Sequence, residues 1–150
     1  MARRFPTVFL LPLLLPLLLM GCNRYQVTFN EQPIHTPPKL FAGYQIPDPA
    51  LRDCVAQTIH DQGIAAAQDL RRLVCSNAGI TSLDGLGIFS GLEVLNLSNN
   101  ALSSIAPLLA LPSLTQVDLR GNPGLDCRQA TALTARGVAA TIPPHCATAP

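Results

Sequence analysis

The middle of the chain repeats one apolar register. Leu92, Leu95, Leu97, Asn100 and Leu102 recur 22 residues earlier as Leu70, Leu73, Cys75, Ala78 and Ile80, and 22 residues later as Leu114, Val117, Leu119, Asn122 and Gly124. The intervening apolar slots agree too, Leu83 with Ile105, Leu86 with Leu108 and Phe89 with Leu111. A fixed period of this length predicts a solenoid in which each repeat contributes one short strand and one return segment. The residues between the inward-facing leucines then point outward on the strand side. They are Arg72, Val74 and Ser76 in the first repeat, Val94, Asn96 and Ser98 in the second, and Gln116, Asp118 and Arg120 in the third. Three such strands span only about 10 Å between the outer two.

Two full repeats and a truncated third leave apolar rows open at both ends, so the pattern requires caps. Pro47-Asp48-Pro49-Ala50 predicts a helix start. Asp48 suits the N-cap, and Pro49 suits the first turn, where its missing N–H is not needed. Leu51, Val55 and Ile59 follow at helical spacing, Cys54 lies on the adjoining face, and Gln62-Gly63 ends the run. Arg128 to Thr141, with Ala130, Leu133, Val138 and Ile142, is assigned to cover the other end.

The cysteines fall where caps meet repeats. Cys75 takes the inward slot of Leu97 and Leu119, and Cys127 takes that of Leu83 and Ile105. Their natural partners are Cys54 in the first cap and Cys146 in the last, a pairing that crosses no repeat. Each closes a loop of about twenty residues, worth roughly 3 kcal/mol in the chain-entropy account.

The fifth cysteine belongs to a different element. Met1-Ala2-Arg3-Arg4 is a basic leader, and the apolar run Val8 to Met20, interrupted by Pro12 and Pro16, is too short and broken to span a membrane. The leader therefore reads as a signal peptide, by the general secretory route; the Arg3-Arg4 pair admits twin-arginine export as the alternative. Its end, Leu19-Met20-Gly21-Cys22, resembles the bacterial lipobox. That resemblance implies cleavage before Cys22 and acylation of its sulfur, and two or three acyl chains anchor stably where one is marginal. Setting Cys22 aside leaves an even set of four, as an oxidising compartment favours. Asn23 is not the aspartate that commonly retains such lipoproteins at the inner membrane, so the outer membrane is expected if the source is Gram-negative. Between this anchor and Ile46, Pro33, Pro37 and Pro38 mark a tether, in which Tyr25-Gln26-Val27-Thr28-Phe29 alternates weakly as a strand would.

Ile46-Pro47-Asp48-Pro49-Ala50-Leu51, a helix, Asp69-Leu70-Arg71-Arg72-Leu73, and then Asn77-Ala78-Gly79-Ile80-Thr81-Ser82-Leu83-Asp84-Gly85-Leu86 resemble the helical cap and opening repeats of internalin-type bacterial leucine-rich-repeat proteins. The resemblance runs from about Ile46 to Pro123. It departs in having few repeats and in placing Cys75 where a leucine is usual. It implies a right-handed coil of parallel strands with binding on the concave face. Together with the cap and cysteine readings above, the expected fold is α/β: a short right-handed leucine-rich-repeat solenoid with parallel strands, a helical N-terminal cap and disulfide-stapled caps at both ends. In this repeat class Asn100 and Asn122 point inward and satisfy backbone groups. The Ala78 slot lacks that amide, which predicts a different local path near the first cap. The expected division is 1–21 signal peptide, 22–46 lipidated cysteine and tether, 47–69 N-terminal cap, 70–126 repeats and 127–150 C-terminal cap.

A formal net charge of +1 gives no basic field for nucleic acid. His35, His60 and His145 form no pair at metal-ligand spacing, and the serines lack a nucleophile motif. No catalytic residue, metal or cofactor is expected. The expected function is a lipid-anchored binding module of the bacterial cell envelope, recognising a protein or another envelope component through Arg72, Asn96, Asp118 and Arg120. The alternative is a structural or assembly accessory lipoprotein without a discrete ligand. The sequence leaves the oligomeric state open.

Overall fold

Residues 39–147 are described throughout by the computed structural model, together with the backbone of two short strands before them. The residues expected to form the signal peptide, Cys22 and most of the expected tether lie outside the described residues. Within the tether, Thr28–Phe29 (β1) pairs antiparallel with Gln32–Pro33 (β2).

The N-terminal cap forms as its residues dictate. Helix α1 spans Pro49–Gln62. Asp48, extended at φ −65° and ψ 118°, accepts a hydrogen bond from Leu51 N at 3.0 Å, and Gly63 ends the helix at φ 64°. Leu51, Val55 and Ile59, one face of the helix, are buried against the first repeat. Leu40, Phe41 and Tyr44, at the end of the assigned tether, also pack on this core, and Phe41 N donates to Ile64 O at 2.9 Å. Phe41 meets the fully buried Phe89 edge-on, with ring centroids 6.1 Å apart.

The repeats then stack. Strands Arg72–Val74 (β3), Val94–Asn96 (β4) and Gln116–Asp118 (β5) pair in parallel, with Leu73, Leu95 and Val117 aligned and buried. Each strand is only three residues long. Beyond it the ladder continues through Cys75 N to Asn96 O at 2.8 Å and Leu97 N to Asp118 O at 2.9 Å. Short 3-10 turns at Leu86–Ile88 and Ala106–Ala110 return the chain on the far side of the core.

The asparagine ladder fills as expected and also explains the missing amide. Asn100 Nδ2 donates to Leu97 O of its own repeat and to Cys75 O of the repeat before, both at 2.9 Å, while Oδ1 accepts from Ile80 N at 3.0 Å. Asn122 repeats this one turn on, donating to Leu97 O and Leu119 O and accepting from Leu102 N. Each amide thus serves the repeat that precedes it. The first repeat has a helix before it instead, so Ala78 needs no amide. The different local path expected there does not occur: Asn77 and Asn99 share φ 57°, and Gly121 at the same slot has φ 69°.

A fourth strand corrects the expectation of three. After helix α2, Cys127–Ala135, the chain turns at Gly137 and Ala139–Thr141 (β6) pairs in parallel with β5, so the sheet order is β3-β4-β5-β6. The register Gln116↔Ala139 is one residue longer than the 22-residue period. With that shift the slots of Leu114, Val117 and Leu119 fall on Gly137, Ala140 and Ile142. The strand therefore carries alanine where the others carry a buried leucine or valine. A short helix, α3 at Pro144–Ala147, closes the cap. Disulfides join Cys54 to Cys75 and Cys127 to Cys146, with Cα atoms 5.9 and 5.0 Å apart.

Candidate functional site

The sheet presents its outward face in rows set by the parallel register. One row runs Arg72, Val94, Gln116, Ala139, and the next runs Val74, Asn96, Asp118, Thr141. All four residues expected to bind a partner belong to this side of the molecule. Their surroundings differ sharply.

Asn96 is half-buried, and its Oδ1 accepts from Ser98 N at 3.0 Å and Ser98 Oγ at 2.8 Å. Ser98, expected to face solvent, is instead buried beneath this turn. The reason is local: an asparagine whose side chain bonds two residues ahead folds the chain over its own amide. Asp118 repeats the arrangement and adds charge. Its Oδ1 accepts from Arg120 N at 3.1 Å, and the Arg120 guanidinium grips the carboxylate through Nε at 3.0 Å and Nη2 at 2.6 Å. The Arg120 side chain beside it holds the Asp118 carboxyl below its usual range, against the opposing effect of burial, and Asp118 raises Arg120 in return. These two charges are largely spent on each other.

Because β6 lies beyond β5, Arg120 follows an interior strand of the sheet. Arg72 does occupy an edge strand. It is exposed, and no ion pair among the described residues reaches it; its neighbour Arg71 pairs with Glu93 at 2.7 Å. Val74, two residues on, is 55% exposed, more than any other large apolar side chain described. The alternation rule had placed Val74 on this face, but nothing in its residue type marked it out. Its prominence follows from standing where Asn96 and Asp118 stand in later repeats, without a polar tip to fold back.

Cys127, His145 and Cys146 bring two sulfurs and a ring nitrogen within 4.8 Å of one another. The sulfurs are bonded to each other, and His145 Nε2 lies 3.3 Å from Leu125 O, so this group staples the cap. His60 Nδ1 and Asp61 Oδ1 are 3.5 Å apart on the open side of α1, with side chains 76% and 58% exposed. Asp48 does more than cap a helix. Its second oxygen accepts from Thr81 N at 2.9 Å, Thr81 Oγ1 at 2.8 Å and Ser82 N at 3.1 Å, which ties the cap to the first return loop. Burial alone would raise its pKa, but the hydrogen bonds from Leu51, Thr81 and Ser82 outweigh it and lower the value to about 2.

Residues 90–128 match the family model of leucine-rich repeats in two copies. Leucine-rich repeat-containing protein 56 of Rattus norvegicus is 35% identical over 89 residues, which cover 53% of this chain and 16% of that protein. The protein of the same name from Mus musculus is 42% identical over 53 residues, covering 35% of this chain and 10% of that protein. The chain thus spans only a small part of the length of the curated relatives it matches. Among solved structures, an internalin C2 from Listeria monocytogenes superposes with a TM-score of 0.52 at 23% identity, over 67% of this chain and 48% of that one. That likeness is one of fold. The chain carries leucine-rich repeats in a short solenoid, capped and disulfide-stapled at both ends, and such repeats are modules of protein–protein interaction.

Proposed function

We propose that this chain is a lipid-anchored leucine-rich-repeat binding module of the bacterial cell envelope, held to the membrane through Cys22 and engaging a protein or another envelope component on its strand face. The observation that carries the binding half is the separation of labour across the sheet. Leu73, Leu95 and Val117 are buried, while Arg72, Val74 and Gln116 between them are exposed. The outward row can therefore change without opening the core, which is what a recognition surface requires. The anchor half rests on the leader ending in Leu19-Met20-Gly21-Cys22, and an outer-membrane location rests on Asn23.

Mass spectrometry of the mature chain from cells tests the anchor. It is expected to begin at a diacylglyceryl-modified Cys22, and Cys22→Ser is expected to block both lipidation and cleavage there; an intact thiol at Cys22 in the mature wild-type chain sinks this reading. The binding face is tested by photo-crosslinking in intact cells from Asn96 and Asp118, with Asp53 on the exposed side of α1 as the reference position. Capture of a discrete partner from the strand face alone is expected. Capture from Asp53 alone would move the site to the cap.

A further inference from the structure

Charge and apolar exposure are distributed unevenly over the strand face, and the unevenness identifies where binding free energy is available. On the β5 side, Asp118 and Arg120 form a two-pronged ion pair. A ligand that used either group would compete with that pair, so less net attraction is left there than at an unpaired charge. The Asn96 Oδ1 is likewise taken by Ser98. Beyond them β6 offers only Ala139 and Thr141 on this face, too small to grip. On the β3 side the situation is reversed. Arg72 is exposed and takes part in no ion pair among the described residues. Val74 stands two residues along the same strand, 55% exposed, and Val94 stands directly opposite Arg72 on β4. Neighbours along one face of a strand lie about 7 Å apart and neighbours across a sheet about 4.8 Å apart, so the three positions form one patch.

We infer that the recognition site is this patch, Arg72, Val74 and Val94, and that it takes an extended segment of another protein in which a carboxylate side chain lies two residues from an aliphatic one. The inference rests on the strand-face reading above and narrows it. The carboxylate pairs with the Arg72 guanidinium, whose planar fork matches it. The aliphatic side chain covers Val74 and Val94, removing apolar surface from water on both partners. Arginine is also among the residues that concentrate binding energy at interfaces, whereas the compensated pair at Asp118 and Arg120 adds little to the contact.

Synthetic peptide libraries test this with the full chain. Each has degenerate octapeptides with two fixed central positions: Glu-x-Leu, Gln-x-Leu, Lys-x-Leu or Glu-x-Ser. Fluorescence anisotropy is expected to favour Glu-x-Leu over Gln-x-Leu by about two- to fivefold, the range an exposed ion pair supports. Arg72→Glu is expected to transfer the preference to Lys-x-Leu. Val74→Ser is expected to abolish the distinction between Glu-x-Leu and Glu-x-Ser. The double variant Asp118→Asn, Arg120→Gln is expected to behave as wild type. No preference among the libraries, or a Glu-x-Leu preference that survives Arg72→Glu, overturns the inference. If that happens while Asn96 and Asp118 still crosslink a partner in cells, the strand-face reading stands and only its narrowing to this patch fails.

Discussion

The two ends of the solenoid solve one problem by different means. At the N-terminal end a single helix, α1, lays Leu51, Val55 and Ile59 across the first repeat, and Asp48 ties the helix start to Thr81 and Ser82. At the C-terminal end the cover is composite: α2 buries Ala130 and Leu133, β6 extends the sheet, and α3 brings Cys146 back to Cys127. The N-terminal cap stops the sheet, whereas the C-terminal cap continues it for one strand. An end row of leucines is thus covered either by a periodic helix or by a degenerate repeat.

The largest expected effect separates the two staples. Their loops are nearly equal, with sequence separations of 21 and 19, so chain entropy alone predicts equal contributions of about 3 kcal/mol. Packing does not treat them equally. Cys75 is 2% exposed in a slot that leucine fills in the next two repeats, whereas Cys127 is only half-buried. Cys75→Ala is expected to cost about 2–5 kcal/mol, at the upper part of the range because the lost sulfur also leaves a void. Cys127→Ala is expected to cost less. Urea unfolding followed by circular dichroism measures both, and equal losses would mean that the packing difference is energetically silent.

The comparison also explains what the sequence disclosed. Asp48, Pro49, the Leu51-Val55-Ile59 spacing and Gly63 all point to one helix, so that helix was legible to its ends, whereas the packing of Leu40, Phe41 and Tyr44 on the core was not. The disulfide pairing was legible because Cys75 and Cys127 fall in slots filled elsewhere by leucine or isoleucine. Strand β6 was not legible. The turn at Gly137 inserts one residue, the period slips from 22 to 23, and alanine replaces the marker leucine at Ala140. On the strand face, alternation correctly named the outward positions but not their states. Nothing in the spacing of Asp118 and Arg120 says that they satisfy each other, because that depends on a turn two residues long. Nor does it say that Val74 is left bare.

The second effect concerns the helix caps. Asp48 and Asp126 both cap helices, and both carboxyls are lowered, but the Asp48 carboxylate is buried and bonds two segments, whereas the Asp126 carboxylate bonds only Arg128 among the described residues. Asp48 falls from 3.8 to about 2 on folding, which corresponds to about 2 kcal/mol of stability. A depressed carboxyl contributes that stability above its unfolded pKa and loses it as pH falls through the folded value. Stability is therefore expected to drop between about pH 4 and pH 2, and Asp48→Asn is expected to remove most of this pH dependence together with about 2 kcal/mol at neutral pH. Asp126→Asn is expected to change both far less. Denaturant midpoints measured across that pH window decide it, and an unchanged slope in Asp48→Asn would assign the acid sensitivity elsewhere.

The smallest effect is a matched pair, one at each end. Gly63 follows α1 at φ 64°, and Gly137 follows α2 at φ 85°. A Cβ built on either meets no atom within 4 Å, so neither substitution creates a clash. Alanine at each position should then cost only the left-handed backbone conformation, about 1 kcal/mol. The two variants are expected to lose the same amount if the caps differ only in how they cover the core. A larger loss for Gly137→Ala would have a specific meaning. Gly137 is the hinge between α2 and β6, and Ala139 N must still reach Thr115 O at 2.8 Å for the fourth strand to pair. If alanine relaxes toward a negative φ there, the strand comes off and its ladder bonds go with it. Hydrogen exchange at Ala139 and Leu119, whose amides donate across the β5–β6 pairing, distinguishes the outcomes: retained protection marks a purely conformational cost, and lost protection marks a strand held by one turn.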